Sequence, residues 1–575
     1  MSIKFISFFL LTFLLSCSCA ALDREAFTFT KYDLEVRVEP GQQRLSARGT
    51  LTLRNDSGSP QKNLALQISS SLSWRSIQIA GKPVQFVSQA YTSDIDHTGA
   101  VSEAIVSLPE PIPTSGAMTL TIGYEGTVPL DVTRLTRIGV SEANAKHSDW
   151  DQIGETYTAI RGIGYVLWYP AAADSANLSD GNSVFETIGR WQRREQSSDM
   201  RINLCVQSSL GQIELMNDGA EVAKASSDPS DDFSCQQHSF SPIGFTAPSI
   251  MIGTYEVLNR PNVEIFYRPQ DRAAADDYAL AADLAQSFVK DWFRAPVRKA
   301  RFVELPDPEA SPFESGTLLL APLTVARDSR LAQMTAVHQM THAAVNSPRP
   351  WIDEGLAHFA QALYREQQGG REAALDFMGL YRPAIVETEK SIAVESKPAN
   401  AAGQSLINTN LQELYRSKAM YVWWMLRDMM GDVALKKALA AYLPEQDKDP
   451  AYVQHLVEAQ GKRALEWFFD DWVYRDKGLP DFRVESAVPR ATLGGAYIVT
   501  VTLENVGDAG AEVPVKLVGD GGEVTKRLQV PAKGKASIRI EIPSAPQQVE
   551  INDGSVPESD LTNNSFKIAV PSANK

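Results

Sequence analysis

Between residues 30 and 130, apolar and polar residues alternate along the chain. Tyr32, Leu34, Val36 and Val38 share one face of an extended segment, and Met118, Leu120, Ile122 and Tyr124 repeat the pattern. Ile77 and Ile79 lead into Ala80-Gly81-Lys82, with Val84 and Phe86 beyond, which predicts a strand, a turn and a strand. Shorter runs at Tyr165–Tyr169, Met200–Val206 and Val263–Tyr267 predict further strands, whereas Asp174–Ser183 reads as a loop. The period then lengthens. In Ala273–Phe293, Leu280, Leu284, Phe288 and Trp292 recur at near-helical spacing, and Phe302–Leu305 and Thr317–Leu320 form two short apolar runs. Helical patterns dominate from Ser329 to about Asp471, with Leu331, Met334 and Val337, and later Leu435, Leu439 and Leu443, on apolar faces. Asp476–Asp481 breaks the pattern as a linker. Alternation returns in Tyr497, Val499, Val501 and Leu503, in Val513, Val515 and Leu517, and in Ile538, Ile540 and Ile542, which suggests a small β-sandwich. The expected architecture is multidomain α+β: an N-terminal antiparallel β domain over 22–260, a mostly helical unit over 261–482 and a C-terminal immunoglobulin-like β-sandwich over 483–575.

Residues 1–21 stand apart. Lys4 precedes the apolar run Phe5–Leu15 and small residues come after it, the pattern of a secretory signal peptide rather than a spanning helix. Two processing readings stay open. Leu14-Leu15-Ser16-Cys17 approximates a bacterial lipobox and makes Cys17 a lipidation candidate, while Ser18-Cys19-Ala20 approximates a cleavage site with soluble release. Either reading exports the chain to the periplasm or cell envelope. Of the 4 Cys, Cys17 and Cys19 belong to this leader; Cys205 and Cys235 remain, and an oxidising compartment predicts that they form one disulfide. The 575 residues, 43% hydrophobic, leave room for several cores, and 55 basic against 70 acidic residues give a net charge of −15 that disfavours nucleic acid as a partner.

The chemistry concentrates in Val337-His338-Gln339-Met340-Thr341-His342 and Trp351-Ile352-Asp353-Glu354-Gly355-Leu356-Ala357. His338 and His342 are one helical turn apart, so both imidazoles leave the helix on one face and can occupy two corners of a zinc tetrahedron. Glu354, on the helix after the Pro-containing turn at Ser347–Pro350, supplies a third corner and leaves the fourth for water.

These residues resemble the zinc signature of the gluzincin metallopeptidases, specifically the aminopeptidase N and leukotriene hydrolase family. Similar stretches recur along the chain: Tyr32-Asp-Leu-Glu-Val, Arg48–Thr52 and Ile122–Gly126 in the β domain, Gly164–Pro170 with its Trp-Tyr-Pro, and Ser417–Asp432 in the helical unit. The resemblance implies a thermolysin-like catalytic-type domain over 261–482, one Zn2+ held by His338, His342 and Glu354, and hydrolysis of peptide bonds. It also implies that Tyr415 donates to the tetrahedral oxyanion; an aromatic packed on the core is the alternative reading. The chain departs from the family pattern at four places. Gln339 stands where the family has the general-base Glu, and an amide hydrogen-bonds the attacking water without accepting its proton. Gln361 replaces a Glu seven residues after the third ligand. Eleven residues separate His342 from Glu354, fewer than in aminopeptidases of the family. The segment that binds a substrate's free amino terminus is replaced by Phe313–Leu318, which carries Glu314. His358, one turn after Glu354, reads as a helix-surface residue. Two functions stay open: an exported zinc metallopeptidase with hydrolysis impaired or altered by Gln339, and an inactive pseudo-peptidase that binds peptides or assembles with envelope proteins. Either way the partners are peptides or proteins of the envelope, with membrane contact only through a lipid anchor.

Overall fold

The computed structural model describes residues 22–569 apart from 180–183, 208–212, 217–219, 225–231, 295, 297, 325–328, 396–404, 408 and 410. Residues 1–21, expected to be a signal peptide, and with them Cys17 lie outside the described residues. Alternation at the N-terminus builds an eight-stranded sheet around strand Phe27–Glu39, on which Tyr32, Leu34, Val36 and Val38 all point inward and are buried. A second, three-stranded sheet of Gln61–Ser69, Phe86–Thr92 and Ala100–Ile112 adds Leu64, Leu66 and Ile68 to the same core. The expected antiparallel pairing holds on one side of Phe27–Glu39, where it meets Arg44–Asn55. On the other side Asp199–Gln207 runs parallel to it, because the chain returns to that edge through the helix Val184–Glu195.

Asp199–Gln207 pairs in turn with Phe233–Phe240, which sets Cys205 opposite Cys235, and the two form a disulfide. The bridge closes a loop with a sequence separation of 30. Loop-closure entropy predicts that replacing both cysteines by Ser lowers stability by roughly 3–4 kcal/mol. Urea unfolding of the two proteins checks this; a loss below about 1 kcal/mol would show that the ladder alone holds these strands.

Tyr165–Tyr169 is not a strand. Its residues are largely buried between elements, and its backbone finds irregular partners: Leu167 N–H donates to the Asp96 carboxylate at 2.9 Å, and Leu167 C=O accepts from Ser69 N–H at 2.7 Å. An apolar run marks burial, and here a loop achieves it with its backbone groups paired outside any ladder.

In the middle of the chain a five-stranded sheet runs in the order Glu256–Asn259, Val263–Tyr267, Ala300–Glu304, Leu318–Ala321, Phe313–Ser315. The three inner strands are parallel and almost wholly buried; Phe313–Ser315 is an edge strand. Helix Arg272–Trp292 packs against helix Ser329–Ala344 through Ala275, Tyr278, Ala279, Ala282 and Ala285, all buried. The expected apolar faces hold in part: Phe288 and Trp292, and Met334 and Val337 on the neighbouring helix, are buried, but Leu280 is 61%, Leu284 49% and Leu331 65% exposed. Small alanines let the two axes approach closely, and the leucines are turned outward.

Two more sheets, of three and four strands, form the C-terminal sandwich, with Val499, Val501, Leu503, Val513, Val515 and Leu517 inside. Its core is continuous with that of the helical unit, and Trp472 Nε1 donates to Gly510 C=O at 2.7 Å across the junction. Among the described residues no helix is long and apolar enough to cross a membrane.

Candidate metal centre

His338 and His342 leave helix Ser329–Ala344 on one face, with their Nε2 atoms 3.2 Å apart. The chain then turns through Ser347–Arg349 and re-enters a helix at Pro350, whose fixed φ suits the first helical position. One turn in, Asp353 and Glu354 face back at the imidazoles. Glu354 Oε2 lies 3.8 Å from His338 Nε2, and Oε1 lies 3.8 Å from His342 Nε2. Asp353 Oδ2 lies 3.2 Å from His342 Nδ1, which orients that ring so that Nε2 faces the cluster.

Zinc bonded at 2.0–2.1 Å in a tetrahedron separates its donors by about 3.3 Å. Spacings of 3.2–3.8 Å between two imidazole nitrogens and a carboxylate therefore fit a zinc ion. The sequence-predicted donors His338, His342 and Glu354 are brought together, and Glu314 from the edge strand joins them, with one donor atom of each of the four within 4.8 Å of the others.

The electrostatics arise from burial. Desolvation holds His338 well below the usual imidazole range, and the His342 ring beside it adds to this. Burial also opposes charge on His342, but Asp353, then Glu354 and Glu314, outweigh it and raise this group to about 10. Two rings this close carry at most one positive charge between them, and it resides on His342 against Asp353. Glu354 is half-buried and desolvation opposes its charge, yet Arg416 and the imidazoles hold it well below the usual carboxylate range. Burial lifts Glu314 to about 7.

Gln339 is buried on the same helix and engaged at both ends. Tyr278 Oη–H donates to its Oε1 at 2.7 Å, and its Nε2 donates to Glu314 Oε1 at 3.4 Å. Gln361 points elsewhere and donates to Met334 C=O at 3.0 Å, a tie between helices. His358 is not on the surface. It is buried, its ring edge-on to His338 at 5.2 Å and to Tyr381 at 5.5 Å, because the helix that carries it is enclosed over its first half. Burial lowers its basicity to about 3, so it stays neutral beside the cluster.

Residues that local sequence patterns do not reveal complete the site. Gly355 lets helix Pro350–Gly379 approach Ala419–Met430, since a Cβ there would sit 2.7 Å from Ala419 Cβ. That approach presses the π-helical turn Glu413–Lys418 against Glu354, and Arg416 Nε donates to Glu354 Oε2 at 2.9 Å. Tyr415 stands on the same turn with its ring edge-on to Phe185 at 5.1 Å. On the N-terminal side, Arg161 lies 3.7 Å from the Trp150 ring centroid and 3.4 Å from that of Tyr165, and Tyr165 meets Phe313 edge-on at 5.4 Å. The Tyr165–Tyr169 loop thus braces the edge strand that carries Glu314.

Searches of family models and of curated proteins found no match. Solved structures do match. An M1 zinc metallopeptidase from Deinococcus radiodurans aligns with a TM-score of 0.51 at 17% identity, covering 80% of this chain and 96% of that one. A point mutant of the same enzyme, bound to a Tyr-Ser-Ala substrate, gives 0.50 at 16% identity over the same shares. Legionella pneumophila aminopeptidase A in complex with aspartic acid gives 0.61 at 12% identity, covering 93% of this chain and 59% of that longer one. The chain therefore has the multidomain α+β fold of the M1 zinc metallopeptidases, a peptidase-like scaffold with a His/Glu cluster that fits zinc.

Proposed function

We propose that the chain is an exported zinc-binding protein on a peptidase scaffold, one that binds peptides of the cell envelope and hydrolyses them poorly or not at all. In this reading His338, His342 and Glu354 hold one Zn2+, and the amino-terminal leader delivers the protein to the periplasm, released or anchored through Cys17. A zinc ion in such a site acts as a Lewis acid toward an attacking water and the scissile carbonyl. The chain's own residues govern the proton. Gln339 carries the proposal: at the position where a carboxylate would take that proton there is an amide, already accepting from Tyr278 and donating to Glu314. It orients without accepting a proton. Arg416 keeps Glu354 ionised and in place, and Asp353 holds the His342 ring through Nδ1, which leaves Nε2 for the cation. Tyr415, one residue from Arg416 on the π-turn, is the candidate donor to an oxyanion.

Losing a general base costs about 10²–10⁴ in rate, so turnover falls from an ordinary 10 s⁻¹ to roughly 0.1 s⁻¹ or below. The test is zinc content of the purified mature chain, then binding and cleavage of a mixed peptide library. One zinc per chain, retained peptides and cleavage no faster than that limit are expected. Chelator-sensitive turnover by the wild type at ordinary rates would overturn the proposal, and absence of bound zinc would remove its basis.

A further inference from the structure

We propose that Glu314 is a fourth protein donor to the cation, closing a His2Glu2 site that the family pattern would leave open to water. The inference rests on the zinc-binding reading above and adds to it. Glu314 is carried by the edge strand Phe313–Ser315, and one of its carboxylate oxygens lies within 4.8 Å of the donor atoms of His338, His342 and Glu354. Tetrahedral donors to one zinc ion lie about 3.3 Å apart, so the spread closes with a side-chain rotation that moves the carboxylate by about 1.5 Å. The hydrogen bond that Glu314 accepts from Gln339 Nε2 is long, at 3.4 Å, and does little to balance a half-buried carboxylate. A divalent cation balances it fully.

The strand is held for this purpose from both sides. It pairs with Leu318–Ala321 in the sheet, and Phe313 packs on Tyr165, which is itself stacked on Arg161. A carboxylate placed beside three other donors gives the closed coordination of a structural zinc site, with four protein ligands and no exchangeable position. Gln339 then fits as a positioning residue. Its carbonyl is fixed by Tyr278, and its amide is aimed at Glu314 and orients that carboxylate toward the cation. The same amide that cannot serve as a base is suited to this work.

The experiment replaces zinc by Co2+ in the intact mature chain and reads its visible spectrum, with zinc affinity measured by competition against a chromophoric chelator. In the wild type, millimolar azide or acetohydroxamate should leave the cobalt bands unmoved, because no position is free. Glu314→Gln should weaken zinc binding at least as much as the 10–100-fold typical for loss of a ligand's hydrogen-bond partner, and should make the cobalt spectrum respond to azide. Wild-type bands that shift with azide overturn the inference, as does undiminished zinc affinity in Glu314→Gln. Should that variant not fold, the wild-type spectrum decides alone. If the wild type takes up neither metal, the zinc-binding reading itself has failed, and this inference fails with it.

Discussion

Exchanging the two partners of one hydrogen bond, Gln339→Glu together with Glu314→Gln, should turn the chain into a chelator-sensitive peptidase with cleavage raised about 10²–10⁴-fold over the wild type. The exchange restores a carboxylate on the ligand helix, where Tyr278 already donates to the side chain at 2.7 Å. It also removes the carboxylate proposed to fill the fourth position and puts an amide in its place, which can donate to the new Glu at the 3.4 Å contact. Neither single change suffices. Gln339→Glu alone sets two buried carboxylates against each other, and one of them must then hold a proton. Glu314→Gln alone opens the site but leaves no base. Both single variants should therefore fall at least tenfold short of the pair. Initial rates on a mixed peptide library, with and without chelator, measure all four proteins. A zinc-loaded double variant no faster than the wild type would show that this position is not what limits turnover.

The second large effect concerns stability. Lys418 is fully buried at the end of the π-turn, where its ammonium pairs with Glu389 and Asp476 and donates to Gly478 C=O at 3.1 Å. Burial opposes its charge, but Asp476 and Glu389 outweigh this and hold it raised. The side chain thereby ties helix Arg382–Glu395, the turn that carries Arg416 and the segment leading into the C-terminal sandwich at a single point. Lys418→Met leaves two carboxylates buried without their cation and should cost about 3–5 kcal/mol. Urea unfolding monitored by tryptophan fluorescence would report it, since Trp472 lies 5.2 Å from the ammonium. Replacing Glu389 and Asp476 by Gln and Asn in the same chain should recover most of the loss. A cost below about 1 kcal/mol would mean that water reaches the three groups.

Legibility in the sequence tracked the range of the interactions involved. The inward faces of Phe27–Glu39 and Tyr497–Asn505 were readable because a period of two survives in any strand that buries one face. The helix Arg272–Trp292 was readable as a helix and its Phe288 and Trp292 as core, but Leu280 and Leu284 are exposed where alanines are buried instead. What a helix buries depends on how closely its neighbour approaches, and that distance is not written in one segment. Tyr165–Tyr169 failed as a strand for a related reason, since hydrophobicity reports burial and not the partner of each backbone group. His358 was misplaced on the surface because the structure packs Tyr381 and the first histidine over it.

For the site, local order along the chain was enough to bring His338 to His342 and to nominate Glu354, because a helical turn has a fixed pitch and only a short connection separates the two helices. That Gln339 stands at the family's general-base position is what the resemblance implies, and local order alone does not say it. Glu314, Arg416 and Tyr278 lie far from the signature in the chain, on an edge strand, a π-turn and another helix. They reach the metal donors through sheet pairing, the close approach at Gly355 and helix packing, which are contacts between distant segments. Short-range geometry named three donors; long-range packing supplied the charges that surround them, and through those charges it governs whether the cation keeps a place for water.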